Sequence, residues 1–373
     1  MTEGAISLAR VAVTIFLLPL FPLFVFAENP PKSSDSVGTE FSSKEPADTR
    51  VPSARTEAEE FELEVVEETP KVEPPEFFRY SPERFIAHFE FKGDLPACTL
   101  WEVSYPSPFL SPHPANNTVV AEYYKSKART NSVRGAVIIL HFLEGSMIVE
   151  RPLAYTFAAK GVDALVLYMA YYGKRAGDGS VRMISEDFET TLQALRQTVM
   201  DVYRARNLLA SMEGVDRDKI GLVGISLGAF VGEVAYLTGG GFDRAAFILG
   251  GADVGRILWE AEGGEHREKF LARGLDLEGL QQLLSPLEPL TYAPLALERG
   301  LRDRILMVNA TNDEVVPKAS VEKFWQALGK PEIMWVEATH VGSAAFIIPL
   351  FERVLGHFTA PIKSGSASLP QVR

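Results

Sequence analysis

Short apolar runs alternate with longer amphipathic segments from residue 119 to residue 360. The runs predict strands at 119–124, 136–140, 164–169, 219–223, 245–249, 304–308 and 333–336. Between them the pattern predicts a helix over 151–160 that Gly161 ends, and a long helix capped by Ser185 with Leu192, Leu195 and Val199 on one face. Strands that alternate with helices in this way are typical of a parallel sheet with crossover helices.

The first 76 residues have a different pattern. Arg10 precedes an unbroken apolar stretch over 11–27, which predicts a signal peptide over 1–27, with an uncleaved membrane anchor as the alternative. Residues 28–76 are rich in Glu, Pro, Ser and Thr, and this composition predicts a disordered acidic linker, with a fraying acidic helix or strand over 57–68 as the alternative. The remaining residues, 77–373, are long enough for one globular domain, with a mostly helical insertion at about 254–301.

Charge and composition exclude several classes of function. The net charge is −12, and residues 28–76, with 14 acidic and 5 basic side chains, account for −9 of it. The rest of the chain is close to neutral and lacks the basic field that nucleic-acid binding requires. Cys98 is the only cysteine, so no intramolecular disulfide can form, and we expect an inert thiol. The six histidines show no metal-ligand spacing, and neither a metal nor a cofactor is expected.

The sequence Gly224-Ile225-Ser226-Leu227-Gly228 lies between a predicted strand and a predicted helix. A serine at such a turn is held in a strained conformation with its hydroxyl exposed, and the glycines avoid a clash across the turn. Asp313 and His340 follow at spacings of 87 and 27 residues, each after a predicted strand. The three residues therefore occur in the order nucleophile, acid and base. Asp253 and Glu314 remain alternatives for the acid, and His357 for the base.

These motifs, together with 215–221 and 313–317, resemble the α/β-hydrolase superfamily over about residues 95–360. Within it, the chain is similar to the branch of dienelactone hydrolases and acetyl-xylan-esterase-like enzymes. The resemblance implies an α/β-hydrolase fold, with a mostly parallel eight-strand sheet flanked by helices, a short helical lid and an active site at the carboxyl ends of the strands. The motifs and the resemblance together predict a serine hydrolase of carboxylic esters that uses Ser226, Asp313 and His340 on a small-molecule ester, and the segment 1–27 predicts that it is exported; the resemblance does not name the substrate.

The second requirement of this chemistry is a pair of backbone N–H groups for the oxyanion. Leu227 is the candidate for one group, and Phe142 or Leu143 for the other. Here the sequence departs from the family pattern, because Phe142 stands where a glycine commonly follows the histidine and Glu144 lies near the expected oxyanion. We expect Glu144 to point away from the site. The departure leaves a non-catalytic binding protein as an alternative, beside amide or thioester hydrolysis by the same triad.

Several other residues have two interpretations. We expect His141 to pack in its loop rather than to act in catalysis. Tyr168, Tyr171 and Tyr172 end a predicted strand, and they either line the substrate pocket or pack in the core.

Overall fold

A computed structural model describes residues 59–360 except for 71, 129–133, 186 and 262–264. The predicted signal peptide or membrane anchor and residues 28–58 of the predicted linker lie outside the described residues.

The described residues form one ten-stranded sheet in which the strand order is β1-β2-β3-β4-β6-β5-β7-β8-β9-β10. Its strands are β1 (Glu60–Val66), β2 (Arg84–Asp94), β3 (Cys98–Pro106), β4 (Thr118–Ser126), β5 (Arg134–Leu140), β6 (Asp163–Leu167), β7 (Val215–Ile225), β8 (Ala245–Ile248), β9 (Ile305–Ala310) and β10 (Glu332–Val336). The pairings from β6 through β10 are parallel, and those from β1 through β4 and on to β6 are antiparallel. The predicted mostly parallel sheet is confirmed, but it has ten strands where eight were expected.

Helices follow most of the parallel strands, as the alternating pattern predicts. Those in the described part of the chain are α1 (Glu150–Ala159), α2 (Phe188–Ser211), α3 (Leu227–Gly239), α4 (Val254–Glu260), α5 (Glu265–Ala272), α6 (Leu277–Leu284), α7 (Pro289–Tyr292), α8 (Pro294–Glu298), α9 (Lys318–Ala327) and α10 (Ile347–Thr359). The long helix α2 is capped by Asp187, whose side chain accepts the Glu189 N–H at 3.2 Å, and not by Ser185 as predicted. The helices α4–α8 form the insertion that the sequence places at 254–301.

The linker boundary at residue 76 is corrected by strand β1. This strand pairs antiparallel with β2, from Glu60 opposite Glu90 to Val66 opposite Arg84. Its apolar residues alternate with glutamates, and Val65 is fully buried while Phe61 stacks on Phe89 at 4.4 Å. A period of two gives one apolar face to a strand even where the average composition is acidic. The strand alternative for 57–68 is therefore correct over 60–66, and the linker prediction is wrong there.

The carboxyl ends of the parallel strands carry the loops that matter for function. Strand β5 has β6 as its neighbour on one side and β7 on the other. The chain reaches β6 from β5 through α1, and it then reaches β7 from β6 through α2. Loops that leave neighbouring strands in opposite directions open a crevice at the carboxyl edge of the sheet, where ligands bind in such folds. Ser226 follows β7 at this crevice.

One helical stretch in the described residues, Val341–Thr359, is long and apolar enough to cross a membrane by length and composition, with a mean hydropathy of 1.3. Leu350, Phe351 and Val354 in its second part are buried against the domain. Burial of one face is typical of a helix that packs on a sheet.

Candidate active site

The turn from β7 into α3 holds Ser226 in a backbone conformation that side chains rarely adopt, with φ of 51° and ψ of −113°. A Cβ atom at position 224 would collide with the carbonyl oxygen of Gly228, and one at position 228 would lie 2.7 Å from the carbonyl oxygen of His141. Both glycines are therefore required by close approach of the backbone. The Ser226 N–H donates to Ile248 O at 2.8 Å, which ties the strained turn to β8. Strain of this kind persists only where the surrounding structure enforces it.

Ser226, His340 and Asp313 lie in one chain of hydrogen bonds. The Ser226 Oγ is 3.0 Å from His340 Nε2, and His340 Nδ1 is 2.8 Å from Asp313 Oδ2. A carboxylate only accepts hydrogen bonds, so Nδ1 carries the ring proton and Nε2 is left to accept the Ser226 hydroxyl proton. The three residues that the sequence singled out, 87 and 27 positions apart, are thus brought together.

Asp313 is fixed by the loop that follows β9. Its Oδ1 accepts the N–H groups of Val315 and Val316 at 2.9 and 2.7 Å, and its side chain is 1% exposed. Because these bonds set the direction of the carboxylate, the His340 ring has one favoured orientation toward Ser226. The adjoining Glu314 accepts the backbone N–H of His340 at 3.0 Å and supports the same loop.

The alternative acid and base are engaged elsewhere. Asp253 accepts a hydrogen bond from Gln281 Nε2 at 2.8 Å and lies 3.0 Å from Lys323 Nζ. The His357 Nε2 is 3.1 Å from the carbonyl oxygen of Arg304, in the last turn of α10. Neither residue has a hydrogen bond to Ser226 or His340.

The loop after β5 is organised by His141. The Met169 N–H donates to His141 Nε2 at 3.1 Å, so His141 Nδ1 carries the proton and donates to Phe142 O at 2.7 Å. Burial lowers the pKa of His141 to about 4, so the ring is neutral at physiological pH. His141 therefore holds the loop, as the sequence analysis expected.

Phe142 is a poor candidate for the second oxyanion donor, which corrects one of the two expectations for this loop. Its N–H donates to Glu150 Oε1 at 3.2 Å, and its carbonyl accepts the Gly145 N–H at 3.1 Å. Both polar groups of the residue are occupied inside the loop. Leu143 remains the candidate, since it lies on the wall of the cavity beside Ser226 and Leu227.

Tyr172 holds Leu143 in place through a hydrogen bond to its carbonyl oxygen. Its hydroxyl donates to Leu143 O at 2.6 Å, and its ring packs edge-on against His141 with 4.5 Å between ring centres. The Tyr168 hydroxyl instead donates to Glu122 Oε1 at 2.8 Å, and Tyr171 is buried. None of the three tyrosines is among the residues that line the cavity; Tyr171 belongs to the buried core, Tyr172 packs against it, and Tyr168 is half-buried beside Glu122.

Glu144 points away from the site, as expected, while Glu150, which the sequence did not single out, is the buried carboxyl group of this region. Glu144 is exposed and is not among the residues that line the cavity. Glu150, at the start of α1, is fully buried, and its Oε2 has no hydrogen-bond partner. Burial raises the pKa of Glu150 to about 7, and backbone N–H groups offset only part of this effect. The sequence signal for Glu150 was its place next to apolar Val149 in the first turn of a helix, but this pattern does not distinguish a buried carboxyl from a solvated one.

A cavity of about 870 Å³ opens at Ser226. Its walls are the N-terminal half of α2, the first two turns of α3, and the insertion helices α4–α6, with Val315 and Val316 from the Asp313 loop. The apolar face that the sequence predicts for α2, with Leu192, Leu195 and Val199, lines this cavity together with Phe188.

Within the described residues, no group of three or more His, Cys, Asp or Glu side chains is placed to hold a metal ion. Cys98 begins β3, where it is fully buried, and burial raises the pKa of its thiol to about 11. A thiol with a raised pKa is a weak nucleophile at neutral pH.

No family model matches this chain. Two uncharacterized proteins from two strains of Mycobacterium tuberculosis are 26% identical to it over 160 residues, which are 42% of this chain and 36% of theirs. The match thus spans about a third of the length of these relatives.

Solved structures give broader coverage. Acetyl xylan esterase from Paenibacillus sp. R4 is 17% identical, with a TM-score of 0.53 over 72% of this chain and 87% of that one. Acetyl xylan esterase 1 from Thermoanaerobacterium sp. is 15% identical, with a TM-score of 0.52 over 73% and 88%. A Mycobacterium tuberculosis puromycin-hydrolyzing peptidase is 17% identical, with a TM-score of 0.51 over 74% and 46%. Together with the sheet order, these likenesses show that the chain has the α/β-hydrolase fold.

Proposed function

We propose that this protein is a serine hydrolase that cleaves carboxylic esters through an acyl-enzyme intermediate on Ser226. The observation that carries the proposal is the hydrogen-bonded chain from Ser226 through His340 to Asp313 at the wall of a large cavity. The esterases among the solved structures with this fold support the same reaction class.

In the first half-reaction the Ser226 Oγ attacks the carbonyl carbon of the ester. His340 Nε2 accepts the hydroxyl proton as the new C–O bond forms, because the hydroxyl alone is a weak nucleophile at neutral pH. Asp313 stabilises the resulting imidazolium and preserves the ring orientation. When the tetrahedral intermediate collapses, Nε2 returns the proton to the leaving alkoxide and the alcohol departs.

The negative charge of the tetrahedral intermediate needs two fixed donors. Leu227 is the first residue of α3, and the first N–H groups of a helix have no partner within the helix. The positive end of the α3 helix dipole further stabilises a negative charge at this position. The Leu143 N–H is the second donor, because the Phe142 N–H is held by Glu150. Removal of one such donor typically lowers kcat by about 10²- to 10³-fold.

In the second half-reaction a water molecule hydrolyses the acyl-enzyme. His340 Nε2 accepts a proton from a water molecule whose oxygen attacks the acyl carbon, and the second tetrahedral intermediate collapses as Nε2 protonates Ser226 Oγ. The products are the carboxylic acid and the free enzyme. Amide and thioester substrates follow the same steps with a different leaving atom, so they remain alternatives within the same class.

A non-catalytic binding protein is the alternative from another class. It was suggested by Glu144, because a carboxylate at the oxyanion would oppose the developing charge. Since Glu144 is exposed and does not line the cavity, that argument is weakened.

Labelling with a fluorophosphonate probe tests the proposal. We expect the wild-type protein to be labelled and to hydrolyse p-nitrophenyl esters, and Ser226→Ala to lose both properties with an unchanged melting temperature. The hydroxyl is partly exposed, so its removal leaves no core cavity. Wild-type turnover in a folded Ser226→Ala variant would contradict the assignment of the nucleophile.

We also propose that residues 1–27 direct the protein out of the cytoplasm, either with cleavage or as a membrane anchor. The apolar stretch 11–27 after Arg10 supports this. Expression of the full chain in a bacterium, followed by fractionation and N-terminal sequencing, separates a cleaved exported form from an anchored one. Recovery of the uncleaved chain in the cytoplasm would contradict both.

A further inference from the structure

We infer that the acyl group of the natural substrate is a long apolar chain, and that it lies in the cavity between α2, α3 and the helical insertion. The substrate class is then esters of medium- to long-chain fatty acids. This inference rests on the function proposed above, because it concerns the acyl group that Ser226 would carry.

The size of the cavity favours a long acyl chain. Protein interiors are close-packed and contain few voids larger than a water molecule. A cavity of about 870 Å³ lies in the upper part of the range for ligand sites, about 300–1,000 Å³. An acetyl group would leave nearly all of this space unfilled, so the cavity has no function in an enzyme that uses only acetyl esters.

The walls of the cavity are apolar along helix α3, which starts next to Ser226. On α3, the lining residues Leu227, Phe230, Val231 and Val234 follow the spacing of one helix face, and at 1.5 Å per residue they extend for about 10 Å from the Ser226 turn. An acyl chain bound at Ser226 would therefore meet apolar side chains over that distance.

The stripe on α2 from Phe188 to Val199 also lines the cavity, and it extends for about 16 Å by the same rise. The insertion contributes Ile257, Leu258 and Phe270. A cavity lined by apolar helix faces of this length fits an alkyl chain better than a sugar, whose hydroxyl groups would be left without partners.

The distribution of charged residues around the cavity favours an uncharged ligand. The charged lining residues Arg182, Asp187, Lys269 and Arg273 are all exposed, and they lie in two segments at the solvent side of the cavity. The walls beside Ser226 carry no charged side chain. An uncharged chain can therefore fill the interior while the charged residues stay hydrated.

The position of His340 assigns the cavity to the acyl group rather than to the alcohol. The leaving oxygen must lie next to His340 Nε2, which protonates it. Leu227 and Leu143 line the cavity, but His340 does not. The acyl chain and the leaving oxygen are different substituents of the same carbon, so with the leaving oxygen next to His340 the acyl chain is directed toward the cavity.

The test is the chain-length profile of the wild-type protein. With p-nitrophenyl esters below their aggregation limit, each buried methylene should raise kcat/KM by up to about fourfold, and we expect a rise of at least about 100-fold from the butanoyl to the decanoyl ester. Of two isomeric alkyl esters, ethyl dodecanoate should be a good substrate, and dodecyl acetate, which has a long alcohol and a short acyl group, should be a poor one. An optimum at acetyl in a protein that the fluorophosphonate labels would overturn the inference and leave the proposed function standing. Absence of both labelling and turnover would overturn the proposed function, and the inference with it.

Two variants that fill the cavity test its location. Val234→Phe fills it from α3 and Leu258→Trp fills it from the insertion. Each should lower the decanoyl-to-butanoyl ratio of kcat/KM by at least about tenfold. The matched control is Leu297→Trp, on an insertion residue that is 56% exposed and does not line the cavity, and it should keep the ratio within about twofold. An unchanged ratio in the folded filling variants would place the acyl chain elsewhere and overturn the inference.

Discussion

Glu150 and Phe142 are joined by a hydrogen bond, in which the Phe142 N–H donates to Glu150 Oε1 at 3.2 Å. This bond links a fully buried carboxyl group at the start of α1 to the loop that supplies Leu143. The other oxygen, Oε2, is buried without a partner. The loop beside Ser226 is therefore held by a group whose charge is costly in its surroundings.

We predict that Glu150→Gln removes a pH dependence of stability. Burial raises the pKa of Glu150 from near 4.5 to about 7, so the folded protein binds a proton that the unfolded chain releases between these values. The stability that this group contributes is fully present below pH 4.5 and is lost as pH rises through about 7. At 1.36 kcal/mol per pKa unit, the loss is about 3 kcal/mol.

Urea unfolding at pH 5 and pH 8 measures this effect. The Glu150→Gln variant should differ little from wild type at pH 5 and should be more stable by about 2–3 kcal/mol at pH 8. The exposed Glu144→Gln is the control and should give the same small difference at both pH values. A wild-type protein as stable at pH 8 as Glu150→Gln would show that the carboxylate is stabilised when ionised.

The sequence predicts that Ser226, Asp313 and His340 come together, as they do in the structure, but it does not predict the edge of the sheet at β1 or the cavity. Ser226, Asp313 and His340 were recognisable because each chemical role requires one residue type after a strand, and strands are visible as apolar runs. Strand β1 was ranked below a linker because its three glutamates alternate with Phe61, Leu63 and Val65 and keep the average composition acidic. The role of Glu150 and the space beside α2 depend on packing between distant segments, which no local pattern encodes.

We predict that Asp313→Asn lowers kcat by at least about 10³-fold, because an amide in place of the carboxylate favours the wrong His340 tautomer. Asp253→Asn should lower kcat by less than about tenfold, since Asp253 contacts Gln281 and Lys323 instead. Steady-state kinetics on one ester with both variants gives the ranking. A reversed ranking would assign the acid to the end of β8.

Tyr172→Phe should lower kcat about tenfold while KM changes less than about twofold. The lost hydroxyl donates to Leu143 O at 2.6 Å, so the variant loosens the proposed second oxyanion donor without altering the cavity wall. Tyr168→Phe is the matched control, because its hydroxyl bonds to Glu122 on another strand. An equal loss of kcat in both variants, or a rise in KM alone, would exclude a role of Tyr172 in positioning Leu143.

The last prediction concerns the attachment of the segment before β2. Arg204 on α2 donates to Glu67 Oε2 at 2.9 Å, and the two side chains are 0% and 1% exposed. Glu83 also contacts Arg204 but is 57% exposed, so it compensates the buried guanidinium only in part. Loss of one partner from a buried ion pair leaves an uncompensated charge, which typically costs about 3 kcal/mol or more.

Glu67→Gln should therefore lower the free energy of unfolding by about 3 kcal/mol, whereas Glu68→Gln should change it by less than about 0.5 kcal/mol. Glu68 is the matched control because it pairs with Arg217 at 2.9 Å on the surface, where both side chains are about half exposed. The same reasoning predicts that a chain truncated to begin at residue 77 loses several degrees of melting temperature relative to one that begins at residue 59. Equal stability of the two glutamine variants would show that Glu67 is dispensable, and equal melting temperatures of the two truncated chains would show the same of β1.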